Sequence, residues 1–223
     1  NLMSRIVIAG CGDIGRRIAD LAARDGIPVT GLVRSIESCK ALENAGHDCL
    51  QIDFAEAPLP PVDVEGCDIL YLAPPPRDGT GDPLLGNFLA AMQGLPRRFL
   101  YLSTTGVYGD AHGDWIDEST PVDARAGRAK RRLDAERRVA ETARREGFDH
   151  LIIRVPGIYG AGRLPLGKIR DRQPVLKADI APFTNRIHAD DLAAITLDLL
   201  KKGENGEIYN VTDGHPSTMT DYF

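Results

Sequence analysis

The segment Arg5–Ala9 is a short apolar run, and it ends in Gly10-Cys11-Gly12-Asp13-Ile14-Gly15. Asp13 to Arg24 then places Ile14, Ile18, Leu21 and Ala22 at helical spacing, and Asp25-Gly26 stops the pattern. A buried strand feeding an amphipathic helix through three glycines at this spacing constrains the fold more than any other feature of the chain. Gly10 allows the tight turn. Gly12 has no Cβ, so a pyrophosphate can approach the backbone. Gly15 lets helix and strand pack closely. The helix N-terminus offers unpaired N–H groups and a partial positive charge to phosphates. The rival reading, a Gly-rich turn in some other α/β protein, is weakened by the second βαβ unit that follows.

That unit runs from a strand at Pro28–Val33 through a helix at Ile36–Ala45 to a strand at Asp48–Ile52. A fourth strand, Asp68–Leu72, is closed by Ala73-Pro74-Pro75-Pro76, which can continue neither ladder nor helix. A helix at Pro83–Met92 and a fifth strand at Arg97–Leu102 come next. A long polar loop then reaches about Ala124. An Arg- and Glu-rich helix to Glu146 and a sixth strand at His150–Val155 follow it. Beyond Gly162 the pattern weakens until a helix at Ala189–Leu200 and a strand at Glu207–Val211. Alternation of this kind predicts right-handed crossovers and a parallel sheet with helices on both faces. The fold class expected is therefore α/β, a doubly wound parallel Rossmann sheet over 1–163. A small C-terminal lobe over 164–223 is interleaved with the last core helix and strand. The final residues, Thr218–Phe223, read as the first turn of another helix, so that lobe is expected to be truncated.

A net charge of −5 disfavours a nucleic-acid partner, and no apolar run approaches the roughly 20 residues that span a bilayer. The N-terminus lacks the apolar core of a signal peptide, and Asn1-Leu2 before Met3 reads as an expression scar. Cys11, Cys39, Cys49 and Cys67 form no CxxC pair and match no zinc spacing. They are expected to be free thiols in a reducing cytoplasm, with a buried disulfide as the alternative. No metal site is expected.

Leu32-Val33-Arg34-Ser35 ends the second strand, about 20 residues after the glycines, where an NAD enzyme would usually place an acid on the ribose 2′-hydroxyl. Arg34 with Ser35 beside it complements a 2′-phosphate instead, so NADP(H) is preferred over NAD(H). The plainer alternative is a solvated arginine at a strand end. Asp53-Phe54 closes the third strand. Either it lies beside the adenine, with Asp53 accepting from the amino group, or Asp53 caps a turn and Phe54 is core. Ala73, at the end of the fourth strand, is a further cofactor-contacting candidate.

Five stretches together resemble the extended short-chain dehydrogenase/reductase superfamily, in its NAD-dependent epimerase/dehydratase group. They are the Gly10–Gly15 loop, Leu102-Ser-Thr-Thr-Gly-Val-Tyr-Gly109, Arg154-Val-Pro-Gly-Ile-Tyr-Gly160, Asn185-Arg-Ile-His-Ala-Asp-Asp191 and Tyr209-Asn-Val-Thr-Asp-Gly214. The resemblance makes Thr104 the catalytic hydroxyl, on a strand end where open α/β sheets bind ligands. It also puts Pro156-Gly157 against the nicotinamide. It implies a small-molecule substrate such as a nucleotide sugar, and homodimers built through helices that flank the sheet.

The departure from the family is equally plain. Its acid/base tyrosine has a lysine four residues on, and none of the six tyrosines here has one. Aligning the helix on Leu133-Asp134-Ala135-Glu136 puts Arg128 and Arg132 at those two positions; a shift by two puts Ala126 and Lys130 there. The chain thus resembles the atypical branch that keeps the cofactor fold and loses the tetrad. Each tyrosine is then expected to titrate near its ordinary value of about 10. The helix arginines are expected mostly to form a charged face, with pairs such as Arg132–Glu136. His112, Asp117, Glu118 and Tyr108 remain candidates for proton transfer. His188 is expected to tie a strand to the helix opened by Asp190-Asp191. Two functions follow: an NAD(P)-dependent oxidoreductase, or a non-catalytic NADP(H) sensor that controls a partner. A methyltransferase using S-adenosylmethionine on a similar sheet is weakened by Arg34.

Overall fold

The computed structural model of the chain describes residues 5–163, 166–171, 174, 176–177 and 179–222. The Asn1–Met3 reading and the last residue of the C-terminal turn lie outside these. In chain order the first half comprises β1 (Ile6–Ala9), α1 (Asp13–Arg24), β2 (Val29–Val33), α2 (Ile36–Asn44), β3 (Asp48–Gln51), β4 (Val62–Asp63), β5 (Asp68–Tyr71), α3 (Pro83–Ala91), β6 (Met92–Gln93) and β7 (Arg98–Thr104). A 3-10 turn over Thr105–Tyr108 follows. Then come α4 (Gly127–Glu146), β8 (Asp149–Val155), β9 (Gly157–Tyr159), α5 (Leu166–Arg170), β10 (Phe183–Thr184), β11 (Arg186–His188), α6 (Ala189–Lys202), β12 (Ile208–Asn210), β13 (Ser217–Thr218) and α7 (Met219–Tyr222).

Seven strands form one sheet in the order β12-β8-β7-β5-β1-β2-β3, every neighbouring pair parallel. The order reverses at β1, so a crevice opens at its C-terminal end between the loops after β1 and β5. The inner strands β1, β5, β7 and β8 are largely buried on both faces, which is why they read as continuous apolar runs, while the edge strands β3 and β12 are not. Alternate residues divide between two cores. Ile6, Ile8, Leu70 and Leu100 face α1, α2 and α6, while Val7, Ile69, Tyr71, Phe99 and Tyr101 face α3 and α4. In the second core Phe54, Tyr71, Phe88 and Phe99 pack ring against ring at 5.5–6.2 Å.

One expectation is corrected. Cys39 and Cys49 are not free thiols: they form a disulfide between α2 and β3, with Cα atoms 5.5 Å apart. Gly31 on β2 lets Leu42 of α2 sit directly on the sheet, since a Cβ there would meet Leu42 Cδ1 at 2.5 Å. Cys49, which pairs with Gly31 across the ladder, is thereby brought under the helix. Cys11 and Cys67 are free and buried, as expected. The last third of the chain, where the sequence pattern weakens, holds only brief extra pairings among the described residues. Short pairings β9–β11 and β10–β13 occur there, in elements too brief to leave a periodic pattern. Among the described residues no helix is long and apolar enough to cross a membrane.

Candidate cofactor and substrate cleft

The Gly10–Gly15 loop joins β1 to α1 and lines the crevice. Gly10 has φ +81°, and a Cβ there would lie 2.6 Å from the Ala73 backbone. Ala73 is thus the wall against which the loop turns. Its N–H donates to Ala9 O at 3.1 Å. A Cβ on Gly15 would press on Cys11 Sγ at 3.0 Å and Ile8 Cγ2 at 3.2 Å, so helix and strand are close-packed there. Gly12 is the reverse case: a Cβ would meet nothing within 4 Å among the described residues. It is the N-cap of α1 and, having no side chain, offers no cap hydrogen bond to the helix's first N–H groups. Open space over uncapped N–H groups fits a pyrophosphate. Ile14 turns inward and is buried. Asp13 faces outward and pairs with Arg17 and Arg163. Burial works to raise its carboxyl, but hydrogen bonds from the two arginines outweigh this and hold it below the ordinary carboxylate range.

Arg34 is exposed just past β2, and its carbonyl accepts from Gln51 Nε2 at 3.1 Å. Ser35 is the N-cap of α2: its hydroxyl accepts from Ser38 N at 3.1 Å. Asp53 Oδ1 accepts from Ala55 N at 2.9 Å, and Phe54 is 8% exposed in the aromatic core. Asp53 thus caps a turn through Oδ1, and the Phe54 ring is part of the core.

At the other end of the crevice, Thr104 ends β7, partly exposed. Its Oγ1 accepts from Gly106 N at 3.1 Å, capping the 3-10 turn. That leaves its O–H to donate. Pro156 and Gly157 follow β8, with Gly157 exposed. Behind Thr104 lies a buried polar cluster absent from the sequence reading. Glu136 of α4 accepts from Ser103 Oγ at 2.6 Å and from Arg154 at 3.0 and 2.7 Å. The expected Arg132–Glu136 pair is thus corrected. Glu136 is on the sheet-facing side of α4, where Arg154 of β8 reaches it. Arg132 instead donates to Leu102 O at 2.9 Å and Tyr101 Oη at 3.2 Å.

Neither register of the missing pair places a base in the cleft. Arg128 and Lys130 are exposed, and Ala126 is the α4 N-cap. The tyrosines do not all stay near their ordinary value. Burial pushes Tyr101 up to about 12 and Tyr71 well above its usual range. Tyr159 also rises, through desolvation and then the Asp213 carboxylate, which accepts from its hydroxyl at 3.3 Å. Tyr108 is buried and donates to Asn210 Oδ1 at 2.8 Å, with Arg154 4.9 Å over its ring.

The remaining candidates have partners of their own or are exposed. Glu118 accepts from Asn210 N at 2.7 Å, Asp117 holds Ser119, and His112 is exposed at φ +53°. His188 Nδ1 accepts from Asp190 N at 3.1 Å, capping α6 as expected.

Comparison with known proteins places the chain by family and fold. Residues 10–203 match the NAD(P)H-binding family. A structure from Methylobacillus flagellatus, described as an NAD-dependent epimerase/dehydratase, superposes with a TM-score of 0.73 at 31% identity, covering 99% of this chain and 79% of that one. A conserved protein of unknown function from Silicibacter pomeroyi superposes with a TM-score of 0.80 at 28% identity, covering 98% of this chain and 75% of that one. The 4-hydroxy-2-methyl-3-oxo-4-farnesyl-3,4-dihydroquinoline-1-oxide ketoreductase of Stigmatella aurantiaca is 26% identical over 238 residues, 99% of this chain and 71% of the relative.

Proposed function

The chain belongs to the NAD(P)H-binding family, and on that basis we propose that it is an NADP(H)-dependent oxidoreductase of the epimerase/dehydratase kind. It acts on a ketone or carbinol carbon of a small molecule, and nucleotide sugars are the first class to screen. The observation that carries this reading is Thr104. Its hydroxyl stands at the C-terminal end of a central strand, its acceptor side taken by Gly106 N–H and its proton left for a substrate oxygen. The Gly10–Gly15 loop and the α1 N-terminus hold the pyrophosphate, Arg34 the 2′-phosphate, and Pro156-Gly157 flank the nicotinamide. When bound, the nicotinamide supplies or accepts the hydride. Thr104 orients the reacting oxygen and stabilises charge that develops on it. The chain's division is a cofactor core over 1–163 and a substrate lobe over 164–223 interleaved with the last core helix, α6, and the last core strand, β12, working in the cytoplasm as a homodimer.

The test is a screen of nucleotide sugars and small carbonyl compounds, following NADPH absorbance with wild type and Thr104→Val. The variant keeps shape and β-branching and should lose about 10²–10³ in rate at unchanged NADPH affinity. The second reading is a non-catalytic NADP(H) sensor. It is favoured by the absent tyrosine–lysine pair and by the hydrogen bond that engages Arg132 with Leu102 O. Tight NADPH binding with no turnover across the screen would select it.

A further inference from the structure

Four side chains form a run of ion pairs across the mouth of the Gly10–Gly15 loop. Asp13 takes Arg17 Nε on Oδ1 at 3.2 Å and Arg163 Nη1 on Oδ2 at 2.7 Å. Arg17 continues to Asp190 Oδ1 at 2.6 Å and to Ala161 O at 3.2 Å. The segment 160–163, which follows β9, is thereby laid against the first turns of α1. Its course depends on Gly160 and Gly162, at φ +140° and +77°, backbone that other residues rarely adopt.

Arg17 alone would hold that segment, through the Ala161 carbonyl and Asp190. Arg163 does something more. Asp13 opens α1 where a pyrophosphate would meet uncapped N–H groups, and a lone carboxylate there would repel it. Arg17 and Arg163 balance Asp13 and Asp190, so an arriving phosphate meets no net negative charge. Arg163 uses only Nη1 on Asp13, and no described residue takes its Nε or Nη2. A guanidinium anchored at one nitrogen, beside an anion-binding helix end, presents its remaining donors in the planar fork that suits phosphate.

We propose that Arg163 is a cofactor-binding residue: held by Asp13 at the α1 N-terminus, it closes over the pyrophosphate and adds a side-chain cation to the backbone N–H groups of the glycine loop. This assignment rests on the cofactor reading above. The segment 160–163 then acts as a strap whose seat is the dinucleotide itself.

Calorimetric titration of wild type and Arg163→Gln tests it, with the tighter of NADPH and NADH as ligand. The control is a fragment without the pyrophosphate, adenosine 2′-monophosphate for NADPH or adenosine for NADH. Loss of a charge-assisted contact should weaken the dinucleotide about tenfold or more and leave the fragment within about twofold. Dinucleotide affinity within about twofold of wild type overturns the assignment. So does a parallel loss for dinucleotide and fragment, which would make Arg163 a prop for the cleft's shape. Wild type that takes neither NADPH nor NADH overturns the cofactor reading and the role of Arg163 with it.

Discussion

Arg154 meets Glu136 at two points, Nε to Oε1 at 3.0 Å and Nη2 to Oε2 at 2.7 Å, with both side chains about 95% buried. The pair ties α4 to β8 directly behind the strand end that carries Thr104, and Ser103 of β7 donates to the same carboxylate. It is the polar frame on which the proposed nicotinamide end is built. Breaking a buried pair strands the surviving charge, whereas replacing both partners does not. Glu136→Gln should therefore cost about 3–5 kcal/mol in urea denaturation. The double variant Glu136→Met/Arg154→Met should cost clearly less than the sum of the two single changes. Strict additivity would show that the two side chains do not act as a unit.

Arg34 sets the cofactor preference in the proposed function. Wild type should bind NADPH at least about tenfold more tightly than NADH, since a charge-assisted contact to phosphate contributes roughly 1.5–3 kcal/mol. Arg34→Ala should bring the two affinities together, mostly by weakening NADPH. Equal affinities in wild type, by calorimetry, would refute it.

No tyrosinate is expected to drive turnover. Tyr159→Phe should keep most activity, because its phenol is raised by desolvation and by Asp213 and stays protonated at neutral pH. Tyr108→Phe should also keep it, at a stability cost of about 1 kcal/mol for the lost bond to Asn210. Abolished turnover with intact cofactor affinity in either variant would identify an unconventional acid.

Asp82 makes stability fall as pH rises. It is fully buried and N-caps α3, with Oδ1 accepting from Leu85 N at 3.1 Å and Oδ2 without a partner among the described residues. Arg132, Asp134, Tyr71 and Tyr101 are the charged or titratable groups that face it among the described residues. Desolvation raises its carboxyl above the ordinary 3.8 despite the N–H bonds and Arg132. The folded state therefore binds the proton more tightly than the unfolded chain. This contribution is complete below 3.8 and is lost as pH climbs through the raised folded value. Asp82→Asn keeps a good cap and should remove that part of the decline. Urea denaturation from pH 4 to 8 measures it, and unchanged curves would be evidence against a protonatable Asp82.

The sequence by itself determined the local units. Apolar runs, helical spacing and Gly or Pro stops set α1 at Asp13–Arg24 and the strands of the seven-stranded sheet to within a residue or two, but not the short strands β4, β6, β9 and β11. The glycine loop was legible with its three separate roles, because turn, approach and close packing are demands on single backbone positions. What joins distant segments was decided by tertiary structure. Cys39 reached Cys49 because Gly31 admits α2 onto the sheet. Glu136 left the helical partner its spacing suggested for Arg154, because a buried carboxylate must find its cation where the chain crosses the sheet. Arg163 came to Asp13 across 150 residues, after two glycines in a segment whose pattern had already faded. Helical and strand periodicities report which face is buried, not what lies opposite it, and these contacts depend on what lies opposite.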